Sequence, residues 1–268
     1  MAAPIKNQSG RRRFITCLFR ILIFSYGCIA AMAYFFSDNL IFPYKECSYS
    51  PSLPGIILLE ADDQTSVAAR HWKKNGSKTL VILFHGNFED LGQLDHIAKS
   101  IMNLGFSVLS MDYRGYGLSE GTPNEKNCYS DARLLLQQAH NMGYRDNEII
   151  LWGRSLGSGP ATQLATEINA RALVLESPFV TAFRTLTQIP VLPFDKFNNL
   201  SKIHKVTSPL LIFHGKRDSI IPAWHSSRLI EKHSGKNTLC LVANAGHNDL
   251  WTKDLGHVFS QLTLILGR

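Results

Sequence analysis

Glu148-Ile149-Ile150-Leu151-Trp152-Gly153-Arg154-Ser155-Leu156-Gly157-Ser158-Gly159-Pro160 is the stretch whose reading decides the fold. Residues 149–152 are continuously apolar, as in a strand buried on both faces. The sequence after Ser155 reads as the start of a helix. A strand, a sharp turn and a helix around G-x-S-x-G hold a serine hydroxyl out on a strained turn, and small flanking residues spare it a clash. The helix N-terminus favours negative charge developing beside it. A second match, Gly117-Leu118-Ser119-Glu120-Gly121, lacks that setting. It sits in a polar, glycine-rich loop, and Glu120 would disfavour an anionic intermediate. Ser155 is therefore the expected nucleophile, and Ser119 reads as a loop serine.

Working outward, further short apolar runs at 79–84, 107–111, 172–175 and 209–213 read as buried strands. Helical stretches are expected at 91–104, 125–142, 156–168 and 223–233. Such alternation gives a mostly parallel sheet with helices on both faces. Upstream, 56–59 and 67–72 flank the polar turn Ala61-Asp62-Asp63-Gln64, as an antiparallel edge hairpin would. A last strand is expected at 238–242 and a last helix at 255–266. Between Glu176 and Pro209, about 178–207 would form a small cap, with 182–192 and 194–203 apolar enough for two short helices. In such sheets reactive groups collect beyond the C-terminal ends of the strands.

A serine hydroxyl needs a base, and histidine suits the role. Of ten histidines, His247 lies in Ala245-Gly246-His247-Asn248-Asp249, just past the last strand. Asp218, in His214-Gly215-Lys216-Arg217-Asp218, leaves the preceding strand and is the expected acid that orients the imidazole. Glu176, at the end of another strand, is its rival, and the plain reading of Asp218 is a turn residue capping Ile220 onward. Asp249 is too near His247 in sequence to reach its far nitrogen easily. An oxyanion needs backbone donors. One is expected from Leu156, the other from His85-Gly86-Asn87-Phe88, where Asn87 is assigned with Phe88 as its substitute. His85 and His214 read as structural.

The bulk composition fits one α/β domain with an appendage. Charged residues are 18 % and apolar residues 45 % of the chain, which excludes disorder. The net charge of +7 is concentrated at the start: Lys6, Arg11, Arg12, Arg13 and Arg20 precede the first acidic residue, Asp38. The remainder carries 23 basic against 21 acidic side chains, which gives no support to nucleic-acid binding. Five cysteines show no C-x-x-C or zinc spacing, so no metal is expected. Cys47, Cys128 and Cys240 read as buried thiols, one disulfide among them being the alternative. Residues 18–36 are apolar except for Arg20, Ser25 and Tyr26, with Tyr34, Phe35 and Phe36 at the far end. They read as an uncleaved membrane-spanning anchor with the N-terminus in the cytoplasm. Ala31-Met32-Ala33 keeps open a cleaved signal peptide, and a core or interfacial helix is the third reading. The expected organisation is a basic flank at 1–13, an anchor at 14–37, an arm at 38–55 and the main domain at 56–268.

Taken together, His85-Gly86-Asn87, Asp112-Tyr113-Arg114-Gly115-Tyr116-Gly117-Leu118-Ser119, Gly153-Arg154-Ser155-Leu156-Gly157, Glu176-Ser177-Pro178-Phe179 and His214-Gly215-Lys216-Arg217-Asp218 resemble the α/β-hydrolase superfamily. Within it they are similar to the serine-aminopeptidase-like branch, whose relatives include monoacylglycerol lipases and membrane-anchored acyl-protein thioesterases. The resemblance runs from about Ile56 to the C-terminus and implies the α/β-hydrolase fold, a catalytic Ser155, Asp218 and His247, a structural role for 112–119, and no cofactor. The expected function is a serine hydrolase of an ester, thioester or amide. The alternative is a membrane-tethered binding or scaffold protein on an inactive hydrolase fold. The expected partners are a small-molecule or acylated substrate and a membrane held through the N-terminal helix. The hydrolase domain would then sit on the periplasmic or lumenal side.

Overall fold

A computed structural model describes residues 8–43, 46–253 and 255–265. Lys6, Lys45 and the end of the last expected helix at 266 lie outside the described residues. The chain divides into two compact units, 1–40 and 41–268.

The first unit is the helix α1, Gln8–Ile41, 34 residues long. At 1.5 Å per residue it extends about 51 Å, more than the ~30 Å hydrocarbon core of a bilayer. Within Gly10–Ile41 an 18-residue window reaches a mean hydropathy of 1.9, and none of that window is buried. It is long and apolar enough to cross a membrane.

The second unit is built on eight strands: β1 (Ile56–Glu60), β2 (Ser66–Trp72), β3 (Leu80–Phe84), β4 (Ser107–Met111), β5 (Ile149–Arg154), β6 (Ala172–Glu176), β7 (Leu210–Gly215) and β8 (Asn237–Val242). Their spatial order is β1-β2-β4-β3-β5-β6-β7-β8. β2 pairs antiparallel with both β1 and β4, and the other neighbours are parallel. This is the α/β-hydrolase architecture. The apolar runs are continuous because both faces are covered. On β3, Leu80, Ile82 and Phe84 join one core cluster while Val81 and Leu83 join the other. The first cluster takes side chains from α3 (Glu125–Asn141), α4 (Ser158–Ala165) and α6 (Trp224–Lys232). The second takes them from α2 (Asp95–Asn103), α7 (Leu250–Lys253) and α8 (Leu255–Ile265).

The sheet reverses its winding between β3 and β5: the chain leaves β3 toward β4 on one side and returns to β5 on the other. A crevice opens outside the strand ends at such a point. Ser155 follows β5 there, and His85-Gly86-Asn87 follows β3.

Two elements differ from the sequence reading. α2 begins at Asp95, not near 91: Arg70 Nη1 donates at 3.2 Å to the Leu91 carbonyl, the acceptor that a helix starting there would use for its first bond. Gly92 N–H donates to Asp90 Oδ1 at 3.0 Å and Leu91 N–H to Asp112 Oδ1 at 2.9 Å. The cap holds one short α-helical turn, α5 (Arg184–Thr187), and a 3-10 turn at Ile203–Lys205 in place of two helices. Gln188 takes a left-handed φ of 55°, and Pro190 and Pro193 lack the amides a helix would need. Asp195 closes the base of the segment by accepting from Phe183 N–H at 2.8 Å and Thr181 Oγ1 at 2.6 Å.

The arm after Ile41 packs as part of the domain. Phe42 is fully buried against the rings of Tyr113, Tyr116 and Phe197, with centroids 6.0–6.3 Å apart. Ser48 N–H donates to Asp90 Oδ2 at 2.6 Å, and the Tyr49 hydroxyl donates to Asp112. None of the five cysteines forms a disulfide. Cys128 and Cys240 are buried; Cys47, expected to be buried, is exposed and turns its thiol to the Tyr49 carbonyl.

Candidate active site

Ser155 sits at the end of β5 with φ +49°, a region non-glycine residues rarely occupy. The surrounding glycines make that turn fit. A Cβ on Gly157 would run into the Phe84 carbonyl, and one on Gly153 would run into the Gly157 carbonyl. The turn thus packs directly on the end of β3. Residues 155–157 form a single 3-10 turn that leads into α4. Leu156 lies in that first turn, where backbone amides have no carbonyl one turn earlier to bond.

Three side chains from three loops meet here. His247 Nε2 lies 3.0 Å from Ser155 Oγ, and His247 Nδ1 lies 2.7 Å from Asp218 Oδ2. The Asp218 carboxylate is wholly buried, and the imidazole is 11 % exposed. The Asp218 Oδ1 accepts from the amides of Ile220 at 2.9 Å and Ile221 at 2.8 Å. The turn-capping role read from sequence and the contact with His247 therefore coexist on separate oxygens. Burial alone would raise the Asp218 carboxyl, but hydrogen bonds from His214 and His247 override it and hold it below the usual carboxylate range.

The competing residues are engaged elsewhere. Glu176 Oε1 accepts from Arg154 Nε at 3.0 Å and Oε2 from Trp251 Nε1 at 2.8 Å. Asp249 Oδ1 accepts from Gly246 N–H at 2.6 Å. The buried Ser119 hydroxyl accepts from Ala68 N–H and donates to the Asp112 carbonyl, both at 2.9 Å. His85 Nδ1 lies 2.7 Å from the Gly86 carbonyl. His225 accepts from Val180 N–H, and burial pushes it down to about 4, so it stays neutral at physiological pH.

In the loop after β3, Gly86 N–H donates to Glu89 Oε2 at 3.1 Å. The Asn87 carbonyl accepts from the Tyr116 hydroxyl at 3.0 Å, and its side-chain amide donates to the Ile41 carbonyl at 3.2 Å. Sequence reasoning missed three participants. His214 Nε2 lies 3.2 Å from Asp218 Oδ2; Glu89 and Arg154 form an ion pair behind Ser155. The spacing of Glu89 and His214 carries no motif, and the strand register sets Arg154 beside Glu176. Among the described residues, no cluster of three or more His, Cys, Asp or Glu side chains could hold a metal ion.

The comparisons with known proteins agree with this architecture. The family model for serine aminopeptidase, S33, matches residues 75–203. Human alpha/beta hydrolase domain-containing protein 17B is 36 % identical over 180 residues, covering 65 % of this chain and 62 % of its own length. A 17C protein of Xenopus tropicalis is 35 % identical over 179 residues, 65 % of this chain and 58 % of that one. The match therefore spans less than two thirds of either relative. Among solved structures, an esterase of Pyrococcus furiosus superposes with a TM-score of 0.70 at 17 % identity, covering 84 % of this chain and 96 % of its own. Mouse alpha/beta hydrolase domain-containing protein 10 gives 0.62 at 17 %, covering 79 % and 98 %.

Asp218 makes a stability measurement informative. Its folded carboxyl ionises below its unfolded value of about 3.9, so its contribution is full above that value and fades as pH falls through the folded one. Asp218→Asn keeps an oxygen for the Ile220 and Ile221 amides but loses the charge. The gap in unfolding free energy between wild type and Asp218→Asn should shrink as pH falls from about 5 to 3. A gap of constant size across that range would show that the carboxylate is not the stabilising species.

Proposed function

We propose that this chain, an α/β-hydrolase of the serine-aminopeptidase-like branch, cleaves an ester, thioester or amide through an acyl-enzyme on Ser155. The observation that carries the reading is the continuous hydrogen-bonded relay from Ser155 through His247 to Asp218. His247 accepts the hydroxyl proton at Nε2 as Ser155 Oγ attacks the substrate's carbonyl carbon. The carbonyl oxygen becomes an oxyanion that takes hydrogen bonds from the Leu156 and Asn87 amides. Gly86 is not a donor in this reading, because its N–H is committed to Glu89. His247 then gives the proton to the leaving group, the acyl bond to it breaks, and water repeats the sequence to release the acid. Asp218, ionised throughout, fixes the imidazole with Nε2 toward the serine and stabilises the imidazolium.

Exposed apolar side chains flank these groups in sequence: Phe88 beside Asn87, Ile220 beyond Asp218, and Leu186, Ile189 and Val191 in the cap. They favour a substrate with an apolar acyl group. The helix α1 serves as an uncleaved anchor, with the hydrolase unit beginning near residue 41. Arg11, Arg12, Arg13 and Arg20 lie at one end of the apolar run, and no such cluster follows Phe36. The charge bias puts the N-terminus in the cytoplasm and the hydrolase domain in a periplasm or lumen.

Ser155→Ala should reduce ester hydrolysis by roughly 10⁴–10⁶-fold, and Ser119→Ala should leave most of it. Near-normal turnover by the Ser155 variant would end the mechanism. The orientation is tested separately by adding protease to sealed membrane vesicles with their cytoplasmic face outward, where the domain should be digested only after the membrane is permeabilised. Digestion in intact vesicles would make the domain cytoplasmic and the orientation wrong.

A further inference from the structure

Behind Ser155 runs a second buried network that the relay does not use. Arg154, the residue before the serine, is 8 % exposed. Its guanidinium pairs with Glu89 through Nη1 and with Glu176 through Nε. The other Glu89 oxygen accepts from Gly86 N–H, and the other Glu176 oxygen accepts from Trp251 Nε1. Trp251 lies four residues past His247 and stacks on Trp152 of β5. One chain of charge-assisted bonds therefore joins the loop after β3, the strand end that carries Ser155, and the helix behind His247.

The Gly86 end of this chain bears most closely on chemistry. A Cβ on Gly86 would stand 3.9 Å from Ser155 Cβ and 3.3 Å from Glu89 Oε2, so this backbone runs between the serine and the glutamate. With its own N–H drawn to Glu89, the orientation of the peptide that follows, whose donor is Asn87 N–H, is fixed from one side. From the other side, Tyr116 holds the Asn87 carbonyl. A carboxylate this close to a developing oxyanion would repel it; the Arg154 cation on Oε1 offsets that charge. Glycine has no side chain of its own to set this plane; His85 Nδ1 holds it at the Gly86 carbonyl, 2.7 Å away, and Glu89 anchors the peptide before it.

We infer that Glu89 is a positioning residue for the oxyanion donor: by accepting from Gly86 N–H while paired with Arg154, it aims the Asn87 amide at the substrate's carbonyl oxygen. This inference rests on the serine-hydrolase reading above. Glu89 touches no reacting atom. Removing it leaves the donor in place but unaimed, so the loss should be smaller than the ~10²–10³ of deleting an oxyanion donor.

The test uses the full chain in detergent, with kcat and KM for a p-nitrophenyl acyl ester and the rate of Ser155 phosphonylation by a fluorophosphonate. Glu89→Ala should lower kcat and the phosphonylation rate together by about 10–100-fold, with KM held within about twofold. Glu89→Gln, whose carbonyl can still accept from Gly86, should recover most of both rates. Glu89→Asp, which keeps the charge but withdraws the acceptor, should fall with alanine and gives the same reading if the alanine variant does not fold. Wild-type rates in Glu89→Ala or Glu89→Asp, or a loss in Glu89→Gln as deep as in alanine, would overturn the inference. If the wild type is not phosphonylated at Ser155, the hydrolase reading fails and takes the positioning role with it. If the wild type reacts and the alanine variant reacts equally fast, only the positioning role fails.

Discussion

The left-handed turn at Ser155 is the constraint on which the rest of the site depends. Holding a serine at φ +49° costs on the order of 1–3 kcal/mol, and the surroundings must over-determine it. They do so by close packing. Gly157 lies against the Phe84 carbonyl, so the turn is wedged onto the end of β3. The position where the sheet reverses its winding is then also the position where the serine and the loop after β3 must face each other. A bulkier residue at 157 would force the turn off the end of β3, and one at 153 would push the turn and α4 away from β5.

Several polar groups around the turn serve two neighbours at once. Asp218 gives one oxygen to the amides of its own loop and the other to His247. Arg154 spans two carboxylates; Glu89 receives a further donor from Gly86 of its own loop, and Glu176 one from Trp251 of α7. Buried charges are tolerated only when paired and fully hydrogen-bonded, so each group that satisfies its own burial also fixes a second segment. The arm contributes in the same manner. Its end at Ile41 offers a carbonyl to the Asn87 side chain, and Phe42, Ser48 and Tyr49 fasten it to the loops after β3 and β4. The loop after β3 is therefore braced by a segment far upstream in sequence.

Much of this was legible in the sequence, for definite reasons. Continuous apolar runs mark strands covered on both faces, and β4 at 107–111 and the β1–β2 hairpin follow from composition alone. Ser155, Asp218 and His247 each carry a local signal: a strand end followed by a glycine-rich or polar turn. The cap was misread because apolar content at 182–203 says nothing about backbone amides, which Pro190, Pro193 and Asp195 remove or divert. The start of α2 was misread for a similar reason, since Arg70 takes the Leu91 carbonyl from 21 residues away. The network of Glu89, Arg154 and Glu176 was invisible because it depends on strand register, and register is a tertiary property.

The relay itself is tested most directly by mapping where a fluorophosphonate binds the intact protein. After labelling and proteolysis, mass spectrometry should find one adduct, on Ser155, and its yield should collapse when His247 is replaced by alanine. An adduct on Ser119, no adduct at all, or labelling that is indifferent to His247 would contradict a serine activated by that imidazole.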